Sequence, residues 1–424
     1  MQGKETKVGL DIGSTQIRAV VSRRNDNGQL SILGMGQVPS AGILQGNIHS
    51  TEAVGKAIRS AVQEAAQTAQ VPVATVNVNL LNRHVQSNVH RGSMLPPKVG
   101  QPFTKKDIDT LLKDMYCLAT PPGYEIIHII PQTYSVTDQE WVSDPIGKVG
   151  NFLKGAFHVV TAPTRVIQNI HESIRTAGLD VAALIASPLA PSLAVLTQEE
   201  KETGVCLIDL GGSTASIAIF YENKLRHIAS IPFGSDTITE DIRQGLAVSP
   251  AQAEALKVQF GKAIEEEDDT AQIVVPALPH RPEKRIPQAV LSRIIEARCE
   301  ELIHLLHAEI VISGLQHSLA SGIVLVGSGA QLPLIEVLFE YITGYPIRQG
   351  RPAAHLHQTD SPYHLGHASS LGLALAHRNA LDSVTPYLAL QKQHLPLVQD
   401  VSAATAPGFL QKLFQRATSL FSKP

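Results

Sequence analysis

One segment occurs twice in this chain, and the duplication limits the fold more than any other feature. LDIGSTQIRAVV (10–21) and IDLGGSTASIAIF (208–220) each pass from an apolar, β-branched stretch through an aspartate into a Gly-Ser-Thr turn, then into a second apolar stretch. Such stretches joined through a short glycine-containing turn read as hairpins. Two copies far apart in the chain indicate an internal duplication whose halves face one another across a cleft. Glycine lets a backbone approach a phosphate, and turn N–H groups and Ser/Thr hydroxyls donate to its oxygens. Gly13, Ser14, Thr15 and Gln16 on one turn, and Gly211, Gly212, Ser213 and Thr214 on the other, are therefore candidate phosphate ligands. Asp11 and Asp209 are candidates to hold Mg²⁺, which favours carboxylates while keeping several waters.

The remaining pattern is mixed α/β. Strands are expected at Ile32–Gln37, after an Asn27-Gly28 turn, and at Thr75–Leu81. Between them Val54, Ile58, Ala61, Val62 and Ala65 recur with helical spacing over Ser50–Ala69. From His84 to Ala162 the texture changes to a small inserted α+β domain. A helix opens there at Thr104, with a capping-box pattern to Asp107, and strands are expected at Ile126–Pro131, Thr133–Thr137 and Gly155–Thr161. Further helices are expected at Thr164–Ala177 and Gln288–Ser313, with a helical region from Ile238 to about Ala263. Glu265–Asp269 reads as a solvated acidic loop. A third strand, Ile323–Val326, ends in another glycine-rich turn, Gly327-Ser328-Gly329-Ala330.

Composition excludes several functions. A chain of 424 residues exceeds one ordinary core, while a net charge of −3 and 4% aromatic residues give no basis for a nucleic-acid face. Cys117, Cys206 and Cys299 are odd in number and widely spaced, which suits a reducing cytoplasm. The N-terminus carries no apolar signal core. Gly178–Leu196 is apolar, but Asp180, Pro188 and Pro191 make it buried α/β structure instead of a membrane span. The pairs His304/His307 and His364/His367 lack the three or four convergent ligands of a zinc site. No nucleophile elbow is present.

The C-terminus is a separate object. Asn379–Pro407 lacks periodicity and holds Pro386, Pro396 and Pro407, as a linker does. In 408–424, at roughly 100° per residue, Phe409, Leu410, Leu413, Phe414, Leu420 and Phe421 fall within an arc of about 140°. Lys412 and Arg416 lie on the other side, and the segment has no acidic residue. That is the pattern of a helix lying in an anionic membrane surface, with packing onto the body or onto a partner as the alternatives.

The three turns, in this order, resemble the phosphate-1, phosphate-2 and adenosine motifs of the actin, heat-shock and sugar-kinase ATPases. The resemblance implies two α/β lobes clamping ATP–Mg²⁺, with Gly327, Ser328 and Gly329 beneath the adenosine. Glu254 and Lys257 match that superfamily's Glu-x-x-Lys pair beside the ribose and adenine. Within the superfamily the chain resembles the FtsA family over nearly its whole length. IIHIIPQTYSVTDQEWVSDPIGKVG (126–150) is similar to a segment of that family's 1C domain, and PFGSDTITEDIRQGL, with Gly234, follows in family order. RIIEARCEEL (293–302) is similar to the stretch whose arginine, here Arg298, docks the C-terminal tail of FtsZ.

The resemblance implies an actin-like first lobe (1A) from 1–83 and 163–196, completed by 365–385, and a 1C-type domain at 84–162. The second lobe (2A) would take 197–232 and 306–364, and subdomain 2B 233–305, followed by a linker at 386–407 and a membrane-binding helix at 408–424. It implies a self-assembling protein that tethers FtsZ to the cytoplasmic face of the inner membrane at midcell, alongside other divisome proteins. Ser216 stands where many relatives carry Asp, so ATP binding with weak hydrolysis at most is expected. Ser328 replaces a usual glycine and is tolerable if its φ stays negative. A PilM-like pilus assembly protein should lack the terminal helix. A sugar or acetate kinase needs a catalytic carboxylate and substrate-lobe insertions that have no counterpart here.

Overall fold

The computed structural model describes residues 6–24, 30–80, 85–96, 100–137, 141–266, 271–277, 283–352 and 365–376. The two expected hairpins seed two five-stranded sheets of the same topology. In the first sheet the strand order is Asp180–Ala186, Thr75–Leu80, Thr6–Ile12, Gln16–Arg24, Leu30–Pro39. In the second it is Ile347–Gln349, Ile323–Val326, Val205–Leu210, Ala215–Tyr221, Lys224–Ile231. In each, the strand carrying the aspartate pairs antiparallel with its hairpin partner and parallel with the strand on its other side. The duplication is thus one of topology as well as of motif.

The near-continuous apolar character of these strands follows from burial on both faces. In the first sheet Gly9 lies opposite Val20, whereas Gly36 lies opposite Ala19, so the two glycines point to opposite faces. Helix Ala368–Leu375 covers the first face so closely that a Cβ on Gly9 would sit 2.1 Å from the Ser370 carbonyl oxygen. Helix Thr51–Ala69 covers the other, where a Cβ on Gly36 would sit 2.1 Å from the Ala61 oxygen. Ser22 and Asn77 donate to the Ala374 and Leu373 carbonyls at 3.0 and 2.9 Å, satisfying acceptors that a helix end leaves open. Leu371, Leu373 and Ala374 also belong to a core shared with Leu207, Ala218 and Val326 of the second sheet. One short helix therefore packs both sheets.

The region after the first sheet forms a three-stranded sheet ordered Gln86–Met94, Leu153–Pro163, Tyr124–Val136. Helix Lys105–Met115 lies on it over Phe103, Tyr134 and Phe157. The Asp107 carboxylate accepts from the Thr104 N–H at 2.7 Å and the Thr104 hydroxyl at 2.6 Å, closing the expected cap.

One expectation needs correction. The strands expected on either side of Gln132 are one strand, Tyr124–Val136, because a register shift between Pro131 and Thr133 absorbs the proline's missing donor. The helical region expected from Ile238 to about Ala263 consists of two helices, Ser235–Gly245 and Pro250–Phe260. Ala247 adopts φ 48° between them, and Ser249 accepts from the Gln252 N–H at 3.3 Å to start the second, with Pro250 in the first turn where no donor is needed. Gly178–Leu196 is the strand Asp180–Ala186, buried from Ala183 onward, followed by the largely buried helix Leu189–Val195. Among the described residues, no helix is long and apolar enough to cross a membrane. The Asn27-Gly28 turn, the linker and the terminal segment with Phe409, Leu410, Lys412, Leu413, Phe414, Arg416, Leu420 and Phe421 lie outside the described residues.

Candidate functional site

Both hairpin turns open into one cavity. Asp11, Gly13, Ser14 and Thr15 line it from the first, Asp209, Gly211, Gly212 and Thr214 from the second, and Gly327 and Ser328 from the third turn. The first two turns are built alike: the Gly13 N–H donates to the Gln16 carbonyl at 3.1 Å, and the Gly211 N–H to the Thr214 carbonyl at 3.1 Å. They also touch. The Ser213 N–H donates to Ser14 Oγ at 3.0 Å, and a Cβ on Gly212 would lie 2.7 Å from Thr15 Cγ2 and 2.8 Å from Ser14 Oγ. Glycine at 212 thus keeps the turns together as well as leaving space for a ligand.

Asp11 Oδ1 accepts from Asn79 Nδ2 at 2.8 Å, and Asn79 Oδ1 accepts from the Ile12 N–H at 2.7 Å. Asp209 Oδ2 accepts from the Ser369 hydroxyl at 3.2 Å. Burial pushes the Asp11 carboxyl up to about 7 against the attraction of Arg18, and the Asp209 charge adds to the rise. Burial likewise raises Asp209, opposed by the Ser369 hydrogen bond and by Arg18. Two carboxylates lining one cavity, Asp11 buried and Asp209 half-buried, suit a hard cation with oxygen ligands. Among the described residues no group of three or more His, Cys, Asp or Glu is placed to hold a metal. A cation here would therefore rest on two carboxylates, water and a ligand's own oxygens, the arrangement Mg²⁺ favours.

At the third turn Gly327 has φ 92°, and a Cβ there would lie 2.5 Å from Asp209 Oδ1. Ser328 has φ −66° and ψ −34°, so its side chain costs nothing in backbone strain. Gly329 begins the following 3₁₀ turn against the Leu210 side chain, outside the cavity lining.

Other expected residues support the second turn from behind. The Ser235 and Asp236 N–H groups donate to the Gly211 and Gly212 carbonyls, each at 2.9 Å. A Cβ on Gly234 would meet the Gly212 oxygen at 2.3 Å, and the Ser213 hydroxyl donates to Asp236 Oδ2 at 2.8 Å. Lys257 Nζ donates to the Ser235 carbonyl at 3.2 Å and to Thr239 Oγ1 at 2.7 Å, and pairs with Glu254 at 2.8 Å. Gln16, Ser213, Gly234, Glu254, Lys257 and Gly329 are not among the lining residues. Arg298 belongs to a separate surface on helix Gln288–Ile312. Its Nε and Nη2 donate to the two Asp241 oxygens at 2.5 and 3.0 Å, and Nη1 pairs with Glu301.

Sequence reading missed Arg18, Asn79, Asp236 and Ser369. Arg18 had a signal, a charged residue among apolar ones in QIRAVV, and Asn79 a weaker one, as the second of two asparagines alternating with apolar residues in TVNVNL. Asp236 and Ser369 had none, since their importance comes from partners distant in the chain.

Matches to known families now bear on this geometry. The family described as cell division protein FtsA matches residues 206–372, and the SHS2 domain inserted in FtsA matches residues 82–161. The FtsA of Pseudomonas aeruginosa is 33% identical over 377 residues, which covers 88% of this chain and 90% of that one. Among solved structures, the PilM–PilN type IV pilus biogenesis complex gives a TM-score of 0.65 at 16% identity, covering 87% of this chain and 97% of its own. MreB5 of Spiroplasma citri bound to ADP gives 0.50 at 14% identity, covering 89% and 98%. The structural likenesses carry the fold, which is actin-like with an inserted small domain.

Asp11 sets a pH dependence whose sign is fixed. A carboxyl raised from 3.8 to about 7 on folding favours the folded state below its ordinary value, and that advantage is lost as pH rises through about 7. Without divalent cation, Asp11→Asn is expected to stabilise the chain over wild type at pH 8, by on the order of 2–4 kcal/mol, and by less than half as much at pH 5. Thermal melts at the two pH values check this; an equal difference at both contradicts it.

Proposed function

The chain belongs to the FtsA family of cell division proteins, and from that premise we propose that it is an ATP-binding adaptor that tethers FtsZ filaments to the cytoplasmic membrane. One observation carries the nucleotide part: two matching Gly-Ser-Thr turns meet over two carboxylates in a single cavity. In this reading the phosphates lie between residues 13–16 and 211–214, where turn N–H groups and hydroxyls donate to them. Asp11 and Asp209 hold Mg²⁺ through water. Adenosine rests on Gly327, Ser328 and Gly329, with Glu254 and Lys257 bordering the ribose and Gly234 backing the second turn. The ADP in the MreB structure supports nucleotide on this fold. Ser216 lines the cavity without contributing a carboxylate, so hydrolysis is weak at most.

The remaining parts rest on family membership and on sequence. Arg298 receives the acidic FtsZ tail by exchanging its present carboxylate partners for those of the tail, a trade between charge-assisted hydrogen bonds. The segment 408–424 supplies the anchor. Full burial of a Phe or Leu side chain is worth roughly 1.5–3 kcal/mol, and a basic residue near an anionic surface about 1 kcal/mol. Insertion of the apolar face then contributes more to binding than the basic residues do, and charge sets lipid preference. Polymerisation through the two lobes and recruitment of other divisome proteins place the assembly at midcell.

Two measurements test the proposal. Valine at 212 would drive the facing turns apart, so calorimetry is expected to show ATP affinity at least about tenfold lower in Gly212→Val, or 1.4 kcal/mol; unchanged affinity puts the nucleotide elsewhere. In flotation with anionic vesicles, the full chain is expected to carry FtsZ polymers up with the lipid. A chain ending at residue 407 should leave both proteins behind, and equal flotation by that shortened chain puts the anchor elsewhere.

A further inference from the structure

Two β-bulges face each other where the inserted domain meets the second sheet. The strand Tyr124–Val136 is an outer strand of the inserted sheet, and Lys224–Ile231 is an outer strand of the second. In the first, the register passes from Pro131 opposite Phe157 to Thr133 opposite Ala156, so Gln132 is the extra residue. In the second it passes from Leu225 opposite Phe220 to His227 opposite Ile219, so Arg226 is the extra residue. A bulge re-aims a side chain and keeps two edges from joining as one ladder. Here the two re-aimed side chains meet. Gln132 is 6% exposed. Its Nε2 donates to the Leu225 carbonyl at 2.8 Å, and its Oε1 accepts from Arg226 Nη1 at 3.2 Å. Lys224 Nζ donates to the Gln132 backbone carbonyl. Arg226 is held in place by its Nε, which donates to the Tyr221 carbonyl at 3.2 Å, and by a pair with Glu222. Beneath them Ile130 and Val160 of the inserted sheet share a core with Phe220, Leu225 and Ile228.

Both sheets connect this joint to the cavity. On one side Asn79, which binds Asp11, lies at the end of the strand Thr75–Leu80 that precedes the inserted domain. His128 Nε2, in the same strand as Gln132, accepts from the Ala186 N–H of the first sheet at 3.0 Å. On the other side strand Ala215–Tyr221 runs from the turn at 211–214 to Ile219 and Phe220, beside the Arg226 bulge. The inserted domain is thus fastened to the first sheet, whereas Arg226 belongs to the second. We propose that Gln132 is a positioning residue that couples the nucleotide cavity to the seating of the inserted domain. Nucleotide that draws the two turns together holds Gln132 on Arg226, and parting of the turns releases it. The proposal rests on the nucleotide reading above. The joint is made of side-chain hydrogen bonds instead of a ladder, so it opens without breaking either sheet. Coupling between two sites is reciprocal: the joint favours nucleotide by the same factor by which nucleotide favours the joint.

The test is calorimetric titration of ATP and magnesium into the full chain for wild type, Gln132→Leu, Arg226→Met and the double variant. Each substitution keeps most of the side-chain volume and removes the hydrogen bond. Each single variant is expected to bind ATP about fivefold or more weakly. The double variant should bind no more weakly than the worse single one, since all three lose the same contact. Lowered melting temperatures with ATP affinity unchanged mark a merely structural role and overturn the proposal, as do losses that multiply in the double variant. A second measurement leaves the joint intact. One spin label goes on Cys117, which is exposed on the inserted domain. The other goes on Tyr341→Cys, a position 85% exposed on helix Ile335–Thr343, which packs on the second sheet. ATP is expected to narrow the distribution of distances between them. Identical distributions with and without ATP overturn the proposal, even if the joint variants fail to fold. Wild-type ATP binding matched by the variants upholds the nucleotide reading alone, and a wild type that binds no ATP overturns both.

Discussion

The hydrogen bond from the Ser213 N–H to Ser14 Oγ joins the two hairpin turns, and the geometry of the site depends on that closeness. A single bond of this kind is worth only about 0.5–1.5 kcal/mol net, so it reports the approach of the turns more than it causes it. The cause lies beneath, in two sheets of identical strand order whose aspartate-bearing strands end at the same place. Helix Ala368–Leu375 packs against both sheets through one continuous core. Glycine at 9 lets that helix approach the first sheet, and glycine at 212 lets the turns meet. Motif, sheet and helix thus impose the same arrangement, a consistency that marks a well-specified fold.

Closing the turns brings Asp11 and Asp209 into one desolvated space. Burying a carboxylate is costly unless hydrogen bonds or opposite charge compensate. Here compensation is partial: Asn79 donates to Asp11 and Ser369 to Asp209, and Arg18 offsets both charges from the neighbouring strand. The residual cost is the usual mark of a functional site, where local stability gives way to ligand binding. A polyanion with its cation relieves that cost.

What could be read from the sequence was what is local. Each Gly-Ser-Thr turn is specified within a few residues, so both hairpins and the third glycine turn were legible. The Thr104–Asp107 cap was legible for the same reason. Ser249-Pro250 is an equally local signal, a cap followed by a first-turn proline, and it divides the helical region in two. Pro131 misled, since a bulge lets the strand continue through it. Asp236 and Ser369 were hidden because their partners, Ser213 and Asp209, are 23 and 160 residues away. The glycine at 212 was read as room for phosphate, and its contact with Thr15 and Ser14 required the second sheet to be in place.

The most direct test of the central claim is a crystal structure with magnesium and a non-hydrolysable ATP analogue. The phosphates should lie between residues 13–16 and 211–214, with the ion facing Asp11 and Asp209 and the adenosine over residues 327–329. A nucleotide bound at any other surface, with these two turns untouched, would contradict the account.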